Sequence, residues 1–168
     1  MSATYAITYS RTHTATFVSD NIRNVLRDIV RESGLDPAKL MDDWQTLGKA
    51  AKTWLESGHL YEVVIEFFIP GSSVASARWD IPINYDGSGD DNDMWYSKEH
   101  LLRTIAKATK PPANALYRII LRVRPGAVHV DGMGDTELKS VNGLVSRNAG
   151  TAIATPDIMA GLRYWRAA

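Results

Sequence analysis

Residues 60–69 form an almost continuously apolar stretch near the middle of the chain. Its centre, residues 63–69 (VVIEFFI), consists of β-branched and aromatic residues interrupted only by Glu66. A strand of this kind is usually covered on both faces, so the stretch predicts the central strand of a sheet. A turn at residues 70–73 (PGSS) and strict alternation over residues 75–85 predict a second, hairpin-connected strand. Pro82 cannot donate to a strand ladder, which favours an edge position for this second strand.

The residues on either side of this hairpin predict helices. Apolar residues recur at spacings of three and four from about Thr14, which is typical of an amphipathic helix, and Ser33-Gly34 ends it. Asp36 and Pro37 predict the N-cap and first turn of a second helix that continues to Gly58. Ser97 predicts the cap of a third helix, which Pro111-Pro112 ends.

Residues 116–124 alternate in polarity and predict the third long strand. A right-handed crossover through the third helix would place this strand on the other side of the first, parallel to the second. The predicted fold is therefore α+β, with a three-stranded antiparallel core in the order two-one-three and three packed helices. Residues 4–9 are rich in strand formers and predict a short edge strand. Both outer core strands are edges, and edges attract other strands.

Residues 125–168 combine two properties that rarely occur together. Glycines recur along this segment and Pro156 lies near its end, which is typical of irregular structure. The segment nevertheless keeps large apolar residues as far as Tyr164 and Trp165, which solvated tails usually lack. We therefore predict a strap or moving part that packs on the domain and covers one edge of the sheet. The sequence leaves open which edge it covers.

Composition excludes several classes of function. With 168 residues and 45% hydrophobic content, the chain is expected to form one domain, residues 1–168. Its net charge of +0 provides no global attraction to nucleic acid or to a membrane. The lack of cysteine excludes thiolate metal sites and a cysteine nucleophile. Without an evident signal peptide or membrane span, the expected location is cytoplasmic.

The residues contain no catalytic motif, so we predict a protein that is not an enzyme and has no cofactor or metal. An acidic loop, residues 86–93 (DGSGDDND), places oxygen ligands at alternate positions as a calcium loop does. Its twelfth position is Ser97 and not the bidentate glutamate of such loops, which favours a solvated connection. The alternative is a small metal-dependent hydrolase that uses this loop.

Arg118, Arg122 and Arg124 share one face of the third strand. They are either charges that guard an exposed edge or a positive edge that receives an acidic or extended peptide by strand addition. The sequence supports both interpretations equally. Tyr164 and Trp165 could anchor the chain end against the sheet.

The order of elements, the two-one-three sheet and the apolar strap resemble a HORMA domain. The chain specifically resembles the bacterial HORMA proteins encoded in CBASS antiphage operons. The resemblance spans essentially the whole chain and is carried by residues 10–18 (SRTHTATFV), 34–37 (GLDP), 52–55 (KTWL), 77–81 (ARWDI), 117–126 (YRIILRVRPG) and 161–166 (GLRYWR).

The resemblance implies a non-enzymatic conformational switch. Its C-terminal segment, the safety belt (residues 125–168), would sit on either edge of the core (residues 1–124), and two such arrangements can differ by only a few kcal/mol. In the closed state the belt would wrap around a short closure-motif peptide that adds as a strand to the last core strand. The implied peptide-binding residues are Leu116, Tyr117, Arg118, Ile119, Ile120, Leu121 and Arg122. The expected belt anchors are Leu144, Val145, Ile153, Tyr164 and Trp165.

The resemblance also implies partners. Bacterial members bind a cGAS-like nucleotidyltransferase and license its synthesis of a cyclic oligonucleotide messenger. An AAA+ ATPase of the same operon opens the closed form by engaging the N-terminal region, here residues 1–11. No direct contact with nucleic acid or membrane is expected.

Overall fold

The computed structural model describes residues 10–86 and 94–168. Helix α1 (Arg11–Glu32) begins a few residues earlier than its apolar period indicates, because the Ser10 hydroxyl caps it by accepting the His13 N–H. Gly34, with φ of 83°, follows its end as predicted. The strand predicted at residues 4–9 lies outside the described residues.

The single helix predicted from Asp36 to Gly58 is wrong, because the structure divides it into α2 (Ala38–Asp42) and α3 (Trp44–Glu56). Asp43, with φ −96° and ψ 8°, interrupts the helix. Aspartate competes with helical hydrogen bonding and favours helix starts, so the Asp42-Asp43 pair is a natural break. The predicted cap is shifted by one residue, because Pro37 occupies the cap position, and the Asp36 carboxylate before it accepts the Ala38 N–H at 2.9 Å. With α4 (Lys98–Lys107), the described residues contain four helices rather than the predicted three.

The sheet has six strands among the described residues, in the order β3-β5-β6-β2-β1-β4. The strands are β1 (Leu60–Phe68), β2 (Ala77–Asn84), β3 (Trp95–Tyr96), β4 (Leu116–Val123), β5 (Leu144–Ala154) and β6 (Met159–Ala167). The predicted two-one-three core is confirmed, because β2 and β4 flank β1 and both run antiparallel to it. The strand count differs from the three predicted core strands, because the β5–β6 hairpin and the short strand β3 extend the sheet.

The edge position predicted for β2 is wrong, because β6 pairs with its outer side. The ladder tolerates Pro82 by skipping it. Paired residues run as far as Asp80 with Arg163 and resume at Ile83 with Ala160. The proline therefore removes a local pair without preventing the two strands from lying side by side.

The two faces of β1 differ in chemistry. Val63, Ile65 and Phe67 point into the core formed with α1 and α3, and all three are fully buried. The opposite face carries Glu62 and Glu66, which are also buried. Within residues 10–86 and 94–168, no helix has the length and apolarity that a membrane-spanning segment requires.

Candidate functional site

Among the described residues, the outer side of β4 is a sheet edge that no strand pairs with. Within the described residues β4 pairs only with β1. The Arg124 N–H donates to the His59 carbonyl at 2.8 Å, so the even-numbered residues of β4 direct their backbone groups toward β1. Alternation then directs the N–H and C=O groups of Tyr117, Ile119 and Leu121 outward. These groups are available to an added strand.

The first half of the safety belt runs back along this open edge without pairing to it. After leaving β4, the belt is held to α3 at two points. The Trp54 indole N–H donates to the Val128 carbonyl at 2.8 Å. Gly132 has φ of 91°, and a Cβ there would lie 2.8 Å from the Thr46 Cγ2, so the backbone passes α3 too closely for a side chain.

A second attachment lies at the far end of β4. The Arg118 guanidinium donates to the Glu66 carboxylate, to the Thr136 hydroxyl at 2.8 Å and to the Glu137 carbonyl. Glu66 is 0% exposed and also accepts the Lys139 backbone N–H at 2.8 Å. Since both partners of Glu66 are N–H donors, the buried carboxylate is satisfied by the belt and by β4 together. The belt is thus closed into a ring around the β4 edge.

A partly open cavity of about 390 Å³ lies between β4, the helices α2 and α3, and belt residues 132–134. The Tyr117 hydroxyl fixes one wall, because it donates to the Asp36 carbonyl at 2.9 Å and accepts the Leu40 N–H at 3.1 Å. Burial raises the pKa of Tyr117, which keeps this phenol neutral. The lining is mixed and consists of Lys39, Leu40, Asp43, Thr46, Leu47, Tyr117, Arg118, Ile119, Leu121, Gly132, Met133 and Gly134.

An ion-pair network covers the sheet face opposite the helices. On this face Glu62 and Asp80 share ion pairs with Arg78, Arg122 and Arg163, and Glu66 forms a separate ion pair with Arg118. The ion pairs of Glu62 and Asp80 join four neighbouring strands of the sheet, from the edge strand β4 through β1 and β2 to β6. Arg122 lies beside the open edge of β4. Its hydrogen bond to Glu62 raises the pKa of its guanidinium group.

The second half of the safety belt, the β5–β6 hairpin, lies on the opposite side of the core, against β2. Of the expected anchors, Ile153 and Tyr164 are buried, and the Tyr164 and Trp79 ring centroids lie 5.2 Å apart. The Trp165 indole donates to the Asp80 carboxylate at 2.9 Å. Leu144 is half-buried, whereas Val145 is exposed.

The structure brings the sequence-predicted edge residues together and adds residues that the sequence did not point to. Ile119, Leu121 and Arg122 are partly exposed along the edge, Leu116 is exposed, and Tyr117 and Ile120 are buried. The missed residues are Trp54, Glu66, Met133 and Lys139. A single glutamate inside an apolar strand was the one available signal, because a buried carboxylate requires partners.

The acidic loop at residues 86–93 lies outside the described residues except for Asp86. Across residues 10–86 and 94–168, no group of three or more histidine, aspartate or glutamate side chains is arranged to hold a metal ion.

Comparison with known proteins identifies the family to which this chain belongs. The family model described as bacterial HORMA domain 2 matches residues 2–168. A search of the curated proteins found no match.

Solved structures share the fold at low sequence identity. A chain of the mitotic checkpoint complex has a TM-score of 0.74 at 8% identity and covers 92% of this chain and 98% of its own. C. elegans HTP-2 bound to the HIM-3 closure motif has a TM-score of 0.71 at 15% identity, covering 95% and 92%. A chain of the E. coli MS115-1 HORMA:CdnC:Trip13 complex has a TM-score of 0.60 at 15% identity, covering 97% and 95%.

Proposed function

Because this chain belongs to the bacterial HORMA domain 2 family, we propose that it is a non-enzymatic switch that binds a closure-motif peptide. The peptide adds as a strand to β4, and the safety belt holds it in place. One observation carries this proposal: the belt forms a ring around a strand edge that no described strand occupies, while its hairpin lies at the opposite edge of the core. C. elegans HTP-2, which shares the fold, is bound to a closure motif in its solved structure.

In its signalling role, the switch binds and activates a cGAS-like nucleotidyltransferase in antiphage defence, and an AAA+ ATPase reopens it from the N-terminal region. The E. coli HORMA:CdnC:Trip13 complex supports this assignment, since one of its chains shares the fold. Ring closure explains the need for an ATPase, because a bound strand cannot leave until the belt attachments at Val128 and Lys139 open.

Strand addition is tested by amide exchange measured residue by residue. A peptide selected from a random display library is bound to the full-length protein, and exchange is followed by NMR. We expect about tenfold or slower exchange at the outward N–H groups of Tyr117, Ile119 and Leu121, because strand pairing protects amides. The exposed β5 residues Val145 and Arg147 are the internal control and should not change. A tightly bound peptide that leaves the three β4 amides unprotected would contradict the proposal.

The signalling role has a separate test. Synthesis of a cyclic oligonucleotide is measured with the nucleotidyltransferase alone, with this protein, and with this protein plus the selected peptide. Activation only in the presence of this protein supports the role. An enzyme equally active without it would overturn the signalling assignment but leave peptide binding intact. Gene neighbourhood supplies an independent check, since adjacent nucleotidyltransferase and AAA+ ATPase genes are expected.

A further inference from the structure

The chemistry around the open edge of β4 restricts which strands it can accept. We propose that the bound peptide carries an apolar residue that enters the cavity beneath the belt and, next to it, an aspartate or glutamate that pairs with Arg122. This inference rests on the proposed peptide-binding function and specifies its ligand.

On an added strand, the apolar residue and the neighbouring acidic residue would point to opposite faces of the sheet. Successive side chains of a strand point to opposite faces, so neighbouring peptide residues meet different faces of β4. Ile119 and Leu121 belong to the helix-facing side and pack against the core, whereas Arg118 and Arg122 belong to the face with the ion-pair network. A residue on the helix-facing side would lie over the cavity, and its neighbour would lie beside the arginines.

The apolar requirement follows from the cavity and its neighbours. Leu40, Leu47 and Met133 line it together with Ile119 and Leu121. Ile119 and Leu121 are only partly buried, although both contact the main core. An apolar peptide side chain would cover these two residues and occupy part of a space of about 390 Å³, so its burial is favourable.

The acidic requirement follows from the charge of the network. Four guanidinium groups (Arg78, Arg118, Arg122 and Arg163) meet three carboxylates (Glu62, Glu66 and Asp80), which leaves one positive charge in excess. The Arg122 side chain is 39% exposed, the largest value among these seven groups. Arg163 is nearly as exposed, at 36%, but it lies on β6, so the accessible positive charge beside the open edge is that of Arg122.

Arg122 also makes fewer hydrogen bonds than Arg118, which lies at the other end of the β4 edge. Arg118 donates to Glu66, Thr136 and Glu137 and thereby holds the belt. Among the described residues, Arg122 has one ion pair, to Glu62 at 3.0 Å, and its guanidinium lies 5.2 Å from the centre of the Tyr61 ring. Glu62 in turn is shared with Arg163 at 2.9 Å. A peptide carboxylate would complete the pairing of Arg122 without displacing the belt.

The test is selection of a random ten-residue peptide library on the full-length protein and on two variants. The unmodified protein should enrich sequences with an apolar residue adjacent to aspartate or glutamate. Arg122→Glu should enrich lysine or arginine at the acidic position instead, because charge reversal reverses the cross-strand preference. Arg147→Gln, an exposed change on β5, is the matched control and should select the same sequences as the unmodified protein.

Affinities of synthetic peptides then quantify each requirement. Replacing the acidic residue by its amide should weaken binding to the unmodified protein about fivefold, and should change little in Arg122→Gln. Met133→Ala should shift the preferred apolar residue toward a larger side chain. Enriched peptides without an acidic position, or with one that Arg122→Glu does not change, would overturn the inference while leaving strand addition intact. Failure to select any peptide from the library would instead contradict the proposed function itself.

Discussion

Glu66 shows how a single residue connects the middle of the sheet to the safety belt. It lies in the most apolar stretch of the chain, yet its side chain is 0% exposed and ionic. Such a group is tolerated only when its charge is compensated by donors, here from Arg118 and from the Lys139 backbone. The residue therefore holds the belt directly at Lys139 and, through Arg118, at Thr136 and Glu137.

Replacing Glu66 by Gln tests this attachment. The amide keeps the shape but loses the charge, so the free energy of unfolding should fall by about 1–3 kcal/mol. Amides of residues 136–140 should exchange faster than this global loss accounts for, as measured by urea unfolding and hydrogen exchange. Glu137→Gln is the control, because its side chain is exposed and only its backbone carbonyl binds Arg118. Equal effects of the two substitutions on belt exchange would refute the attachment.

The β6 strand shows how an element can pair beside a proline. At the gap opposite Pro82, Gly161 lies so close that an added Cβ would be 3.2 Å from the proline Cγ and 3.4 Å from the Gly150 carbonyl oxygen. The bulges of β5 around Thr151 fall at the same level of the sheet. The glycine therefore allows three irregular strands to pass one another within a continuous sheet.

Gly161→Ala should accordingly destabilise the β2–β6 contact. We expect about 1–3 kcal/mol of lost stability from the overpacking, measured by thermal or urea unfolding. Gly134→Ala is a matched control on the same belt, because a Cβ added there would meet no atom within 4 Å. That change should be neutral or slightly stabilising. A Gly161→Ala protein as stable as the unmodified protein would show that the gap accommodates a methyl group.

The whole molecule depends on the position of the β5–β6 hairpin. The hairpin contributes Ile153, Ile158 and Tyr164 to the main core and covers Asp80, which is 0% exposed. Any arrangement in which the hairpin leaves β2 must therefore cover these groups in another way. The hairpin can therefore leave β2 only if another edge of the sheet receives it.

Deletion of residues 142–168 should consequently leave a partly folded core. We expect loss of near-ultraviolet circular dichroism, binding of a hydrophobic dye and a broadened unfolding transition, because apolar surface and the buried Asp80 become exposed. Deletion of the exposed residues 167–168 alone is the control and should preserve cooperative unfolding. A truncated protein with native-like cooperativity would show that the core is autonomous and that the hairpin is not needed for its packing.

Local patterns in the sequence determined the elements and the core order. The spacing of apolar residues shows directly how an element is buried. The continuous apolar run of β1 indicates burial on both faces. The alternation in β2 and β4 and the helical period of α1 each indicate one buried face. Helix interruption at Asp43 was harder to predict, because an acidic pair is compatible with either a continuous helix or a new start. The resemblance to HORMA domains depended on the order of these elements.

Only the tertiary structure decided where the safety belt lies. Glycine spacing and apolar content show that a segment can pack, but both edges of the core expose the same backbone groups, so local pattern does not discriminate between them. The choice of β2 depends on long-range contacts, including Tyr164 with Trp79, Trp165 with Asp80, and Lys139 with Glu66. These contacts join residues distant in sequence, and together they leave the β4 edge open.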